Sequence, residues 1–396
     1  MTGRRSLAAV VLAGGASRRF GSDKLVAAVD GRTLLDRALE GLPDDVQIVV
    51  VGPERPLSRS VQFVREDPPG GGPAAAIVAG LRAALAAAPN RILVLPGDTP
   101  HAGRAALLLL EALTASHVMA VVGTDRSGFE QPLQLALTRS AAEDLVSAAG
   151  RDGARGGSAR ALVNRLEPPA LRLPMPVAAH FDVDTPDQLL AWEQRDSPSV
   201  DAVLSAVDAC VADGRPGPVV VALDGRSGAG KSTLASALAL RRPATVVPGD
   251  HFYSSTMAGL DAVSLGRLTD AEIADQVFDW RRLRDEALAP LARGEAARYA
   301  PYDWAAGDGR LGRPLELPPS DLVIVEGVYS ARPDLADLVD LTVLVEVSAE
   351  QRRRRLARRT SDPSGWVAVW KRGEDHYFSM VRQPGSYDLV LASSSG

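Results

Sequence analysis

Two stretches of this chain share one pattern, in which an uninterrupted apolar run leads through a glycine-rich turn into a helix. The first run, Leu7–Leu12, continues into Ala13–Gly15, and the second run, Val219–Leu223, continues into Asp224–Gly230. A short apolar run that ends at such a turn is typical of a strand buried on both faces of a parallel sheet. The pattern therefore predicts two open α/β sheets.

Other apolar runs alternate with amphipathic segments along the whole chain. The further predicted strands are Gln47–Val51, Gln62–Val64, Arg91–Leu95, Thr245–Val247, Asp321–Val325, Thr342–Val347 and Asp388–Leu391. The predicted helices are Leu34–Gly41, Ala74–Ala88, Gly103–Ser116, Val200–Ala212, Ser232–Leu240 and one long helix, Asp270–Arg293. Strands that alternate with helices favour mainly parallel sheets in both halves.

The apolar periodicity is lost over residues 192–199, where serine and proline mark a boundary. We therefore predict a first domain over residues 1–196, a linker with a leading helix over 197–216, and a second domain over 217–396. A chain of 396 residues is also longer than one hydrophobic core usually serves.

Composition narrows the class of protein. The chain is 46% apolar and carries 44 basic and 49 acidic residues, a net charge of −5, which fits a globular protein and argues against nucleic-acid or membrane binding as the main role. The single cysteine, Cys210, excludes an internal disulfide. Arg4 and Arg5 before an apolar stretch imitate a secretory signal, but a buried strand fits that stretch better, so we expect a cytoplasmic protein.

The basic residues are almost all arginines, and lysines are rare. Arginine accounts for 41 of the 44, and the three lysines are Lys24, Lys231 and Lys371. Lys24 and Lys231 each follow one of the two glycine turns, where a compact ammonium can contact a phosphate that a planar guanidinium does not easily replace. The skew thus marks two phosphate contacts and leaves Lys371 without a predicted role.

The first glycine turn has the residues that a triphosphate needs. Gly14 and Gly15 let backbone N–H groups approach a nucleotide, and Arg19 and Lys24 supply cations. Further along the chain, the strand that ends at Leu95 leads to Asp98, at the edge where open α/β sheets bind ligands. We therefore predict that Asp98 binds Mg²⁺.

These residues resemble the molybdenum cofactor guanylyltransferases and their nucleotidyltransferase relatives. The shared features are LAGG-x-S-x-R-F-G-x-D-K at Leu12–Lys24, Glu66-Asp67, Gly72-Pro73, Pro96–Pro100, Gln131–Leu133 and Phe181–Pro186. The resemblance implies a Rossmann-like nucleotidyltransferase fold. It also implies that the first domain transfers a nucleoside monophosphate, GMP from GTP, to a phosphorylated acceptor such as molybdopterin and releases pyrophosphate.

The resemblance assigns roles to individual residues. Lys24 and Asp98 would be catalytic, Asp98 and Asp184 would hold Mg²⁺, and Asp182 would line the acceptor side. The implied nucleotide-binding residues are Leu12, Ala13, Gly14, Gly15, Arg19, Lys24 and Asp67. Gly52, Asp182 and Asp184 stand where close relatives carry asparagine, so a cytidylyltransferase or a sugar-phosphate nucleotidyltransferase stays open.

The second glycine turn, Gly225–Ser232, matches the P-loop pattern G-x-x-x-x-G-K-[ST] between a predicted strand and a predicted helix. Its N–H groups would wrap the phosphates of a nucleotide, Lys231 would reach the β- and γ-phosphates, and Ser232 would ligate Mg²⁺. The predicted nucleotide-binding residues are Gly225, Ser227, Gly228, Ala229, Gly230, Lys231, Ser232 and Thr233.

Acidic and basic residues follow the other predicted strands of the second half. Asp250 comes just after one strand and is placed to accept a hydroxyl proton, and Glu326 occupies the position of a Walker-B carboxylate that serves Mg²⁺. A helix over Ala349–Arg359 carries a run of arginines, and we predict that three of them close over the triphosphate as a lid: Arg352, Arg355 and Arg359.

This half resembles the uridine kinase family of P-loop kinases. The shared features are the P-loop, Asp250–Tyr253, Tyr299–Trp304, Val325–Val328 and the arginine-rich lid. The resemblance implies that Lys231 and Asp250 are catalytic, with Asp250 the general base, and that ATP phosphorylates a small hydroxyl compound such as a nucleoside. It also implies an acceptor site formed by Tyr253, Tyr299, Tyr302 and Asp303. We expect Trp304, Trp366 and Trp370 to be core residues, and the alternative is that they stack on the substrate.

The most economical interpretation is a two-domain transferase with Mg²⁺, GTP at the first site and ATP at the second, and small-molecule acceptors. Two alternatives stay open. In the first, one domain serves only as a nucleotide-binding regulator, which the presence of Lys24, Asp67 and Asp98 disfavours in the first domain. Alternatively, the second half is a GTP-binding accessory module for molybdenum cofactor guanylylation, which needs no general base.

Overall fold

The computed structural model describes residues 6–15, 19–29, 31–125, 128–150, 152–214, 216–260, 262–304, 306, 308–359 and 366–392. The chain forms two compact units, Met1–Leu189 and Leu190–Gly396. Among the described residues, helices that are both long enough and apolar enough to cross a membrane are absent.

The first unit is built on a mixed sheet, with seven strands in its described part, in the order β5-β4-β1-β6-β8-β7-β9. Its strands and a small separate hairpin are β1 (Leu7–Leu12), β2 (Ala28–Val29), β3 (Arg32–Thr33), β4 (Gln47–Val51), β5 (Gln62–Val64), β6 (Arg91–Pro96), β7 (Ala120–Thr124), β8 (Glu130–Thr138) and β9 (Leu171–Pro174). The helices are α1 (Leu34–Ala38), α2 (Pro73–Leu85), α3 (Ala102–Ala115), α4 (Arg139–Ala148), α5 (Ala159–Val163) and α6 (Pro186–Gln194).

Helices cover both faces of this sheet, and alternate residues of β1 point into different cores. Ala9 and Val11 pack with α1 and α3, whereas Ala8 and Val10 pack with α2 and α4. Burial on both faces explains why β1 has no polar position. The predicted strands β1, β4, β5 and β6 are confirmed, and they run parallel to one another.

The sequence did not predict β7 and β8, and β8 runs antiparallel to both β6 and β7. The first half of β8 is only half-buried and contains Pro132, so it lacks the apolar run that marks the central strands. The antiparallel course has a consequence for the site. Because Val94 pairs with Leu135, the beginning of β8 lies at the carboxyl end of β6.

The second unit is built on a parallel sheet, with five strands in its described part, in the order β11-β14-β10-β15-β16. The strands of this unit are β10 (Val219–Asp224), β11 (Thr245–Pro248), β12 (Ala297–Tyr299), β13 (Leu315–Leu317), β14 (Leu322–Glu326), β15 (Leu341–Glu346) and β16 (Leu389–Ala392). The helices are α7 (Pro198–Ala212), α8 (Lys231–Arg241), α9 (Ser255–Ala258), α10 (Ala262–Arg267), α11 (Asp270–Gln276), α12 (Trp280–Arg282), α13 (Ala289–Ala292), α14 (Ala349–Arg359) and α15 (Trp366–His376). The two mainly parallel α/β sheets confirm the predicted fold class.

The prediction of one long helix over Asp270–Arg293 is wrong. Helix α11 ends at Gln276, and Phe278 pairs with Tyr253 in an isolated β-bridge. The Asp279 carboxylate then caps α12 by accepting a hydrogen bond from the backbone N–H of Arg282 at 3.1 Å. A capping aspartate inside an apolar periodic segment begins a new helix, since its side chain satisfies the free N–H groups of the first turn.

Candidate active sites

In the first unit, the loop after β1 lies between the loops after β4 and β6. Leu12 pairs with both Val51 and Pro96, so the three strands end side by side. A Cβ atom on Gly52 would stand 2.5 Å from the Ala13 carbonyl oxygen, and the φ of Gly52 is +155°. Only glycine therefore fits beside the loop after β1 at this position.

Lys24 lies between two of the predicted acidic residues. Its Nζ is 2.7 Å from Oδ2 of Asp98, in the turn after β6, and 2.8 Å from Oδ1 of Asp184, just before α6. The Lys24 side chain is only 12% exposed. Burial disfavours its charge, but the hydrogen bonds that Lys24 donates to Asp184 and Asp98 outweigh burial and raise the pKa of Lys24. The Lys24 hydrogen bond lowers the pKa of Asp184 in return.

The remaining predicted residues of this site surround that cluster. The Arg19 guanidinium also pairs with Asp184, and the Thr99 hydroxyl donates to Asp182. The backbone N–H of Val183 donates to the Asp98 carbonyl oxygen at 3.0 Å, which fixes the acidic segment against the turn after β6. The exposed residues Gly14, Gly15 and Asp67 lie in the loops after β1 and β5, at the same edge of the sheet.

The donor set fits Mg²⁺ if substrate oxygens complete it. Asp98 and Asp184 both contact one ammonium, so their oxygens face a common point where a cation is favoured. Groups of three or more metal-binding side chains are absent from the described part of the chain. Mg²⁺ is commonly held by one or two carboxylates together with phosphates and water. The two aspartates therefore suit a metal that arrives with a triphosphate.

Arg55, which the sequence analysis missed, braces this site. Its side chain is 6% exposed, and it donates to the Ala13 carbonyl oxygen at 2.9 Å and to Oδ2 of Asp23 at 2.7 Å. Asp23 in turn accepts from the backbone N–H of Leu25 and caps the turn that contains Lys24. Arg55 therefore connects the glycine loop to the segment that carries the ammonium. An arginine in a short polar loop gives no sequence pattern that would identify this contact.

We expect Arg55→Ala to loosen the glycine loop and the Lys24 turn together. Hydrogen bonds to charged groups contribute about 1.5–3 kcal/mol each, so local opening of these segments should become roughly ten- to hundredfold more frequent. Hydrogen–deuterium exchange on the full chain measures this in peptides from residues 7–26. Arg32→Ala, which removes an exposed pair with Glu40, is the control. Unchanged exchange in Arg55→Ala would contradict the bracing role.

In the second unit, the P-loop follows β10 and leads into α8. Gly225, Gly228 and Gly230 have φ values of +145°, +78° and +106°, a conformation that favours glycine. The Lys231 Nζ donates to the Gly225 carbonyl oxygen at 2.8 Å and to that of Arg226 at 3.2 Å. Lys231 is 7% exposed, so its ammonium is folded against the loop.

The two acidic candidates lie on the strand ends beside the P-loop. Pro248 at the end of β11 pairs with Glu326 at the end of β14, and the exposed residue Asp250 follows in the next turn. The backbone N–H of Gly327 donates to the Leu223 carbonyl oxygen, which holds the end of β14 against β10. Glu326 is buried. The structure therefore places Asp250, Glu326 and the P-loop along one edge.

His251, next to Asp250, is part of this edge. Its Nδ1 is 3.0 Å from the Tyr299 hydroxyl. Burial lowers the pKa of His251, although the Asp250 charge opposes that shift. The imidazole is therefore neutral at pH 7, and Asp250 keeps an uncharged neighbour.

The lowered pKa of His251 predicts a pH dependence of stability. The unfolded chain binds a proton near pH 6.5 that the folded chain resists, so His251 makes the protein less stable as pH falls below about 6.5. We expect His251→Asn to remove part of the decrease in the urea midpoint between pH 7.5 and 5. His117→Asn, at an exposed histidine, is the control. Identical pH profiles for wild type and His251→Asn would contradict this.

The predicted acceptor residues are mostly buried aromatic side chains. Tyr253, Tyr299 and Tyr302 belong to the hydrophobic core of the unit, and burial raises the pKa of Tyr253 and of Tyr299 to about 12. Asp303 accepts a hydrogen bond from the backbone N–H of Ala306 and shapes a turn. Their role toward an acceptor stays a prediction. In that role the three tyrosines would line the acceptor site as neutral side chains.

The tryptophans that were predicted to lie in the core differ in their burial. Trp304 is exposed, and its indole N–H donates to the Asp250 carbonyl oxygen at 3.2 Å. The prediction that it is a core residue is therefore wrong. Trp370 packs against the core and contacts the Tyr253 ring. The Trp366 side chain lies outside the described residues.

Helix α14 lies against the P-loop, as the lid prediction requires. Arg355 donates to the Ala229 carbonyl oxygen at 2.8 Å and to that of Gly228 at 3.2 Å. Arg352, one turn earlier, is partly buried, and its carbonyl oxygen is 3.1 Å from the position that a Gly228 Cβ would occupy. The Arg359 side chain lies outside the described residues. The placement supports a lid made of one helix face, and its role stays a prediction.

Asp224, at the end of β10, was also missed. It is fully buried and accepts five hydrogen bonds from the N–H groups of Gly225, Tyr329 and Ala331 and the hydroxyls of Tyr377 and Tyr387. Burial raises its pKa, although five donors favour the carboxylate. Asp224 thus ties the start of the P-loop to the C-terminal segment.

Comparison with known proteins separates the two halves. The model of the MobA-like NTP transferase domain matches residues 9–168. The molybdenum cofactor guanylyltransferase of Rhizobium meliloti is 30% identical over 207 residues, which are 48% of this chain and 93% of that protein. That of Acidiphilium cryptum is 41% identical over 120 residues, which are 28% of this chain and 61% of that protein.

The C-terminal half has a different relative. Uridine kinase-like protein 3 of Arabidopsis thaliana is 27% identical over 180 residues, which are 44% of this chain and 37% of that protein. This relative supports the resemblance of the second half to uridine kinases. The chain spans little more than a third of that protein's length. Through its N-terminal half, the chain belongs to the MobA-like NTP transferase family of the molybdenum cofactor guanylyltransferases.

Proposed function

We propose that the first unit transfers GMP from GTP to a phosphorylated acceptor such as molybdopterin and releases pyrophosphate. The observation that carries this proposal is the Lys24 ammonium held between Asp98 and Asp184 at the edge where the glycine loop ends. Cations and paired carboxylates at one sheet edge suit a triphosphate with its metal. The guanylyltransferase relatives support the choice of GTP.

The residues of this unit would act by positioning and by neutralising charge. An acceptor phosphate oxygen attacks the α-phosphorus, and the bond to the pyrophosphate oxygen breaks. Asp98 and Asp184 would hold Mg²⁺, which supplies charge neutralisation for the triphosphate when bound. Lys24 would then exchange its carboxylate partners for phosphate oxygens, and Arg19 would add a second cation. Asp67 would contact the base or ribose from the loop after β5.

For the second unit, we propose transfer of the ATP γ-phosphate to a small hydroxyl compound such as a nucleoside. Asp250 would take the proton of the acceptor hydroxyl, whose oxygen attacks the γ-phosphorus while ADP leaves. The observation that supports this is the exposed Asp250 on the strand edge that also carries Glu326 and the P-loop. Ser232 and Glu326 would serve the metal, and Arg352 and Arg355 would neutralise the transferred phosphate.

Two assays on the full chain test the proposal. Pyrophosphate release with GTP, ATP, CTP and UTP and a molybdopterin acceptor tests the first unit, and we expect turnover with GTP above the others. Formation of ADP from ATP with a panel of nucleosides and other small alcohols tests the second unit. Absence of pyrophosphate release with every nucleotide would refute the first activity. ADP formation that no acceptor stimulates would refute the second.

A further inference from the structure

An acidic side chain occupies part of the P-loop. The backbone N–H of Ser227 faces both carboxylate oxygens of Glu374, at 3.3 and 3.2 Å, and the Ser227 hydroxyl donates to the same carboxylate. Glu374 lies on α15, 147 residues further along the chain, and is 6% exposed. A buried carboxylate thus takes a donor in the loop whose N–H groups are proposed to bind phosphate.

The neighbouring residue extends this contact. Asp375 pairs with the Arg226 guanidinium at 2.5 Å, and Lys371 pairs with the other oxygen of Asp375. Arg226 also lies over the Phe378 ring, 5.1 Å from its centre. The end of α15 therefore fastens the first half of the P-loop through two consecutive carboxylates. This contact gives Lys371 a place in the structure.

Side chains of opposite charge thus contact different residues of the P-loop. Arg355 of α14 donates to the carbonyl oxygens of Gly228 and Ala229, and Glu374 of α15 accepts from Ser227. A triphosphate in the loop is attracted by the arginine and repelled by the glutamate. Both a phosphate and Glu374 need the same Ser227 N–H, so they cannot both use it.

We infer that Glu374 sets the nucleotide affinity of the second unit by competing with phosphate for Ser227. This inference rests on the proposed ATP site. While Glu374 accepts from Ser227, this donor of the loop is taken, and ATP binds after Glu374 has left Ser227. Because Glu374 is part of the chain, it lowers the affinity for every nucleotide whose phosphate reaches Ser227.

The Glu374→Gln substitution removes the charge of the side chain and keeps its shape. Glu374→Gln keeps an oxygen that can accept from Ser227, but a neutral acceptor forms a weaker bond and no longer repels phosphate. We expect the dissociation constant of the non-hydrolysable analogue AMP-PNP with Mg²⁺ to fall about tenfold, measured by isothermal titration calorimetry on the full chain. Glu350→Gln, on the exposed side of α14 and paired with Arg354, should bind like wild type.

The outcomes separate this inference from the proposed function. Tighter binding by Glu374→Gln supports competition, including the case in which wild type shows no measurable binding. Equal or weaker binding by a Glu374→Gln variant with wild-type circular dichroism overturns the inference and leaves the ATP site in place. Binding of AMP-PNP by neither protein overturns both. A gain of the same size in Glu350→Gln would show a general charge effect and would also overturn the inference.

Discussion

Replacing Asp98 with asparagine should lower the rate of pyrophosphate release by about 10²- to 10³-fold, the usual cost of losing one group that stabilises transition-state charge. The amide keeps the size of the side chain but loses the negative charge that faces Lys24 and, in the proposed reaction, Mg²⁺. The decrease should appear in kcat and should exceed any change in KM, because Asp98 acts on charge that develops as the α-phosphate is transferred.

The control for Asp98 must keep the fold and change an aspartate elsewhere in the same unit. Asp45→Asn suits this purpose, since Asp45 is exposed in the loop before β4, at the opposite edge of the sheet. The ATP-dependent phosphorylation proposed for the second unit provides an internal check on the same sample. Near-normal pyrophosphate release by Asp98→Asn would remove Asp98 from the metal site and leave Asp184 to be tested alone.

The strand-end residues of both sites were predictable because topology brings them together. Parallel strands end at one edge, so Asp98, Asp250 and Glu326 could be placed from the apolar runs that precede them. Asp184 was assigned by family resemblance, and the structure joins it to Asp98 through Lys24. Which groups the ammonium contacts could not be read from spacing alone, since 160 residues separate Lys24 from Asp184.

The supporting residues were not predictable, and the reason is the same for each. Arg55, Asp224 and Glu374 make their contacts through tertiary packing, and none belongs to a periodic or glycine-marked pattern. The same limit explains the wrong prediction of one long helix, since the Asp279 cap and the β-bridge of Phe278 interrupt the apolar periodic segment. Local pattern predicts strands that are buried on both faces better than it predicts segments that neighbouring elements interrupt.

The three lysines of the chain differ in how deeply the structure buries them. Lys24 and Lys231 are largely buried, the first against carboxylates and the second against carbonyl oxygens of its own loop, whereas Lys371 is 74% exposed in a helical pair with Asp375. An ammonium held against neutral or anionic oxygens can exchange them for phosphate oxygens. The two buried lysines therefore identify the two sites more sharply than the arginines do.

In the second unit, Asp250→Asn should lower phosphoryl transfer to the acceptor by about 10²- to 10⁴-fold, the range that a general base contributes. Asp250 is exposed beyond β11, and Trp304 donates to its backbone carbonyl oxygen rather than to its carboxylate, so the amide should disturb the fold little. The KM for ATP should change less than kcat, because the proposed phosphate contacts lie on the P-loop. Coupled measurement of ADP formation with and without acceptor gives both quantities.

The same variant also decides between a kinase and a nucleotide-binding accessory module, because only a kinase needs a base for an acceptor hydroxyl. If Asp250→Asn loses acceptor-dependent turnover while its AMP-PNP affinity stays at the wild-type value, the deficit lies in chemistry and the kinase assignment stands. Asp321→Asn, at an exposed aspartate before β14 on the opposite edge of the sheet, should retain full activity. Unchanged turnover in Asp250→Asn would favour the accessory module, since nucleotide binding and hydrolysis can proceed without that carboxylate.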